Sequence, residues 1–98
     1  MKNPNHFSLD MSITHADFFR LLPAAIVPYE SRVDTNEIEI FLEQRRVIIT
    51  LGNEQQRRLS GLISLACTKV SFMFEHFSDE QREAFMHRFD RYFHRGGG

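Results

Sequence analysis

Three stretches of this chain alternate apolar and polar residues with a period of two. Glu37–Glu43 reads EIEIFLE, Arg45–Leu51 reads RRVIITL, and Thr68–His76 reads TKVSFMFEH. Successive side chains point to opposite sides only in an extended backbone, so each run is expected to be a strand buried on one face. Ile38, Ile40 and Leu42 share one side, as do Val47, Ile49 and Leu51, and Val70, Phe72 and Phe74. The other sides carry Glu37, Glu39, Phe41 and Glu43, then Arg46, Ile48 and Thr50, then Lys69, Ser71, Met73 and Glu75. An earlier run, FSLDMSI from Phe7 to Ile13, alternates in the same way.

Two segments switch to helical spacing. Thr14 stands three residues before Asp17, the spacing of an N-cap with an acid in the first turn. Phe18, Leu21, Leu22 and Ala25 then recur on one side. Pro23 disfavours a helical Leu22, so this helix is expected over Thr14–Leu22, with Ile26 as its furthest end. Ser78 and Gln81 have the spacing of a capping box, with Asp79 and Glu80 in the positive first turn. Phe85, Phe89, Tyr92 and Phe93 follow at i, i+4, i+7 and i+8, which marks the buried stripe of a final helix.

Between these elements, Val27–Glu37 reads as a connection through Pro28 and the turn-forming Asp34, Thr35 and Asn36. Gly52–Asn53 has the composition of a two-residue hairpin turn, and Glu54–Leu62 is expected to return as a strand bent at Gly61. The order is therefore β-α-β-β-β-β-α. An α+β domain follows, with an antiparallel twisted sheet and two helices on one face. This element order is similar to that of TATA-binding-protein-like folds, in which a curved sheet carries its helices on one side. The expected core is Phe7, Leu9, Met11, Phe18, Leu22, Ile38, Ile40, Val47, Ile49, Val70, Phe72, Phe74, Phe85, Phe89 and Phe93.

Ninety-eight residues suit a single domain, with residues 1–6 expected as a mobile tail and residues 96–98 as a glycine tail. No stretch is apolar enough for a membrane span, and the N-terminus lacks the apolar core of a signal peptide. The single cysteine, Cys67, permits no intramolecular disulfide, so a cytoplasmic setting is expected. The net charge of −1 conceals an asymmetry. Residues 1–43 hold three Lys/Arg and seven Asp/Glu, a balance of −4; residues 44–98 hold nine and six, a balance of +3.

No nucleophile elbow, phosphate loop or zinc spacing is present, and neither enzyme activity nor a cofactor is expected. Glu83, His87, Asp90 and His94 fall on one stripe of the last helix. At 1.5 Å per residue, His87 and His94 are roughly 10.5 Å apart along the axis, too far to share one ion. No metal site is expected there. Cys67 has no local base that would activate it.

Two binding readings remain. Phe41, Ile48 and Met73 point to the otherwise polar face of the sheet, and together they would form an apolar patch in a charged rim. Such a patch implies a homodimer or a partner protein. Arg45, Arg46, Arg57, Arg58, Arg91 and Arg95 are the candidate anion contacts. If the two doublets meet across the Gly52–Asn53 turn, they would suit nucleic acid or a phosphorylated small ligand. The terminal Gly96, Gly97 and Gly98 admit a carrier role of the ubiquitin-like kind, but they follow a helix, where one glycine suffices as the C′ residue.

Overall fold

A computed structural model describes residues 5–93 of the chain. Its elements run β1 (His6–Met11), α1 (His15–Ile26), β2 (Glu30–Asp34), β3 (Glu37–Leu42), β4 (Arg45–Leu51), β5 (Gln55–Arg58), β6 (Ser64–Glu75) and α2 (Asp79–Phe93). The fold is α+β. Its six strands form an antiparallel sheet ordered β1-β6-β4-β3-β2, with β5 paired to β6 off that path. No helix among the described residues is long and apolar enough to cross a membrane.

Both helices start where their caps predict. The Thr14 hydroxyl accepts from the Asp17 amide at 3.0 Å. Ser78 and Gln81 bond reciprocally, at 2.9 and 3.1 Å. Pro23 lies inside α1, which runs on to Ile26.

Inward residues of the sheet meet the two helices. Phe18, Ile38, Ile40, Val47, Ile49, Val70 and Phe72 are wholly enclosed, and Phe89 nearly so. Phe72 and Phe89 meet edge to face at 5.1 Å, Phe74 and Phe85 at 5.5 Å, and Phe18 lies 4.8 Å from Phe93. Rings at these distances and angles add to what burial alone contributes. Leu22, Ala25, Ile26, Leu42, Leu51 and Phe77 complete the core, and Phe7, Met11 and Phe85, expected within it, pack against it half-buried. Leu9 departs from the expected core: it lies on the inward side of β1 yet is 37% exposed, because β1 is an edge strand with a neighbour on one side only. Thr68 is the one buried polar residue among those described, and its hydroxyl donates to the Ile13 carbonyl at 2.8 Å.

Two parts of the path differ from expectation. The connection after α1 contains β2, which pairs with β3 through the two-residue turn Thr35–Asn36. All five residues of β2 are exposed, so no buried face announced it. The second difference is at Gly52–Asn53, where the chain does not reverse. Leu51 pairs with Val70 and Gln55 with Cys67, so four steps on one strand match three on the other. That is a bulge in one long bent strand. The link is taken up by α1: Glu54 accepts from the His15 amide at 2.8 Å, and the His15 ring bonds the Gly52 carbonyl at 2.7 Å. Gly52 also donates to the Lys69 carbonyl at 2.8 Å. The reversal comes at Leu59–Ile63, where Leu59 and Ser60 both donate to the Ile63 carbonyl. β5 and the first third of β6 therefore extend beyond the sheet as a two-stranded arm.

Of the tail expected over residues 1–6, residues 1–4 lie outside the described residues. Asn5 and His6 belong to the fold: the Asn5 carbonyl accepts from the Phe74 amide at 2.8 Å, and β1 begins at His6. The glycine tail, Gly96 to Gly98, lies outside the described residues.

Candidate functional site: the open face of the sheet

The helices cover one side of the sheet, and the alternating residues on the other side remain uncovered. Register places these residues in rows across the strands. Glu75, Arg46, Phe41 and Glu30 form one row, on β6, β4, β3 and β2. His6, Met73, Ile48, Glu39 and Arg32 form the next, and Ser8, Ser71, Thr50, Glu37 and Asp34 the one after.

The first two rows are joined by a ladder of alternating charge. Arg32 donates to Glu39 at 2.9 and 3.1 Å. The other oxygen of Glu39 accepts from Arg46 at 2.6 Å. Arg46 then holds Glu75 through two parallel bonds of 2.8 and 2.9 Å. Planar guanidinium groups suit such forked contacts. The hydrogen bond from Arg32, with the positive charges of Arg32 and Arg46, holds the Glu39 carboxyl below its usual value against an opposing effect of burial. Glu75, ahead of Glu39, holds the Arg46 guanidinium more firmly protonated than usual.

This ladder decides which apolar residues meet. Ile48 and Met73 are direct cross-strand partners. Phe41 is diagonal to Ile48, and the Arg46–Glu39 ion pair takes the crossing diagonal, so it runs between them. Phe41 lies instead beneath the Arg32 guanidinium, 5.7 Å from its ring centre. The apolar patch is thus the pair Ile48–Met73, with Phe41 set apart beyond the ion pair.

The candidate arginines among the described residues do not converge. Arg46 belongs to the ladder. Arg45 stacks over the Phe77 ring at 5.0 Å. It lines an open polar cleft of about 830 Å³ with Glu43, Gln44, His76 and Gln81 at the end of the sheet. Arg57 and Arg58 lie on the arm. Arg46 pairs with Glu75 and Arg57 with Leu65, ten positions apart on β6, or roughly 33 Å along an extended strand. The bulge at Gly52 keeps the doublets at opposite ends of one strand. Arg91 is exposed on α2, and Arg95 lies outside the described residues.

Among the described residues, no three His, Cys, Asp or Glu side chains are placed to share an ion. Glu83, His87 and Asp90 are exposed on α2, and His94 lies outside the described residues. Cys67 is half-buried within β6, 3.5 Å from the Arg57 guanidinium.

The arm is the feature that sequence reasoning missed. Leu59, Ile63 and Leu65 are each about half exposed, and Leu62 is 99% exposed. The Ser60–Gly61 dipeptide is itself a turn signal, and it marks the true reversal. Comparison with known proteins yields no match to a family model, a curated protein or a solved structure.

Proposed function

We propose that this protein is a non-enzymatic binding and assembly domain that self-associates through the open face of its sheet. The observation that carries this reading is the Ile48–Met73 pair, registered side by side on the face the helices leave bare. The Arg32–Glu39–Arg46–Glu75 ladder bounds it on one side, which fits an apolar centre with a polar rim. The single cysteine is in keeping with work in the reducing cytoplasm.

Light scattering on the wild type and on Ile48→Glu with Met73→Glu tests the reading. The expected result is a wild-type dimer that the double substitution dissociates. A wild type that stays monomeric at high concentration would overturn it. The alternative, arginine-based binding of nucleic acid or a phosphorylated ligand, gains no support from two arginine doublets held at opposite ends of one strand. Salt-dependent retention on heparin would be its signature.

A further inference from the structure

The apolar side chains of the arm repeat the pattern of the open face at a matching distance. Six open-face pairs follow one another along the β4–β5 strand and β6. They are Ile48 with Met73, Thr50 with Ser71, Gly52 with Lys69, Gln55 with Cys67, Arg57 with Leu65, and Leu59 with Ile63. The contact of Arg57 with Cys67 places the arm's odd-numbered residues on this same side. The series is wholly apolar at both ends, and each pair between has at least one polar member. Its midpoint falls between the Gly52–Lys69 and Gln55–Cys67 pairs.

A surface with that symmetry is complementary to its own copy turned by a two-fold axis. We propose that a second copy of this chain packs against the open face, its strands antiparallel, about an axis crossing β6 at Thr68. Leu59 and Ile63 of each arm then rest on Ile48 and Met73 of the other protomer. This rests on the self-association reading above and adds the arm as the second half of the interface.

Charge selects the same occupant. Residues 55–68 contain Arg57 and Arg58 and no acid. In this register Arg57 faces Thr50 of the other copy. Glu37 is the cross-strand neighbour of Thr50, on the adjacent strand roughly 4.8 Å away. Glu37 and the adjoining Asp34 form no ion pair among the described residues. Arg58 points to the opposite side of the arm, since it pairs with Ser64, and it takes no part.

A charge exchange tests the register. Arg57→Glu and Glu37→Arg alter exposed side chains, and circular dichroism verifies that each variant is folded. Each alone sets like charges against one another in both halves of the two-fold interface. Its dimer is expected to weaken by about tenfold or more in sedimentation equilibrium. An equimolar mixture of the two restores opposite charges in both halves and is expected to dimerise as the wild type does. Arg58→Glu is expected to change nothing.

If Arg57→Glu dimerises like the wild type while Ile48→Glu with Met73→Glu dissociates, the arm has no such role and the open-face reading stands alone. If both charge variants dissociate and mixing fails to rescue them, this register is wrong. A monomeric wild type overturns both proposals.

Discussion

The guanidinium of Arg88, on α2, donates through Nη2 to the carbonyl of Val27, the residue that closes α1. α1 has no basic residue in its own last turn, so its negative end is met by a cation from the other helix. The first turn of α1 is served in the same way, by Glu54 from the bulge in the sheet. A short helix is thus tied at both ends to elements distant in sequence.

Replacing Arg88 by Leu leaves the Val27 carbonyl without this partner and removes the charge from the helix end. The cost is expected to be about 1–2 kcal/mol, read as a shift of the urea midpoint at unchanged slope. An Arg88→Leu midpoint equal to that of the wild type would show that the contact contributes nothing.

Glu39 sets a pH dependence. Its carboxyl titrates below the ordinary range in the folded chain, chiefly through the hydrogen bond from Arg32. A depressed folded value favours the folded state at pH above the unfolded carboxyl value of about 4.3, and this contribution is lost as pH falls through the folded value. The wild type is therefore expected to exceed Glu39→Gln in stability at pH 7, and the gap should narrow below about pH 4.3. Urea midpoints of both proteins across pH 7 to 3 measure it; a constant gap contradicts the ladder.

Glu43 is the first residue of the two-residue β3–β4 turn and has φ of 57°. Non-glycine residues are strained there, and glycine adopts that conformation without steric cost. Glu43→Gly is expected to raise stability by about 0.5–1 kcal/mol, a rise in melting temperature of roughly 2–8 °C for a domain of this size. Thr35, also at 57° in the β2–β3 turn, should respond in the same direction. A lower melting temperature in both variants would contradict strain at these turns.

Thr68→Val keeps the shape of the side chain and its preference for a strand, but leaves the carbonyl of the half-buried Ile13 without the donor it has now. A loss of about 1–2 kcal/mol is expected in chemical unfolding, and Thr68→Ser should retain more of the bond. Equal stability in Thr68→Val and the wild type would show that the hydroxyl has no net effect.

The inward face of the sheet could be read from spacing because periodicity is local: Ile38, Ile40, Val47, Ile49, Val70, Phe72 and Phe74 are all buried on the side their alternation indicates. The two N-caps were equally legible, since Thr14 with Asp17 and Ser78 with Gln81 interact within one turn. β2 was not, because its five residues are exposed and its pairing depends on backbone partners supplied by β3. Gly52–Asn53 carried a turn signal that α1 overrode by bonding the link through His15.

By itself, then, the amino-acid sequence determined that the chain forms an α+β domain, which side of each alternating strand is buried, and where both helices begin. Those properties arise from residues within one turn or one strand of each other. Tertiary structure decided that β4 runs on into an arm, that the arginine doublets stay apart, and that Ile48 meets Met73 while the Arg46–Glu39 pair runs between Ile48 and Phe41. The Ile48–Met73 pairing joins strands 25 residues apart, and the Arg46–Glu39 diagonal, though only seven residues long, is held between Arg32 and Glu75 on the flanking strands, so period-two alternation encodes neither.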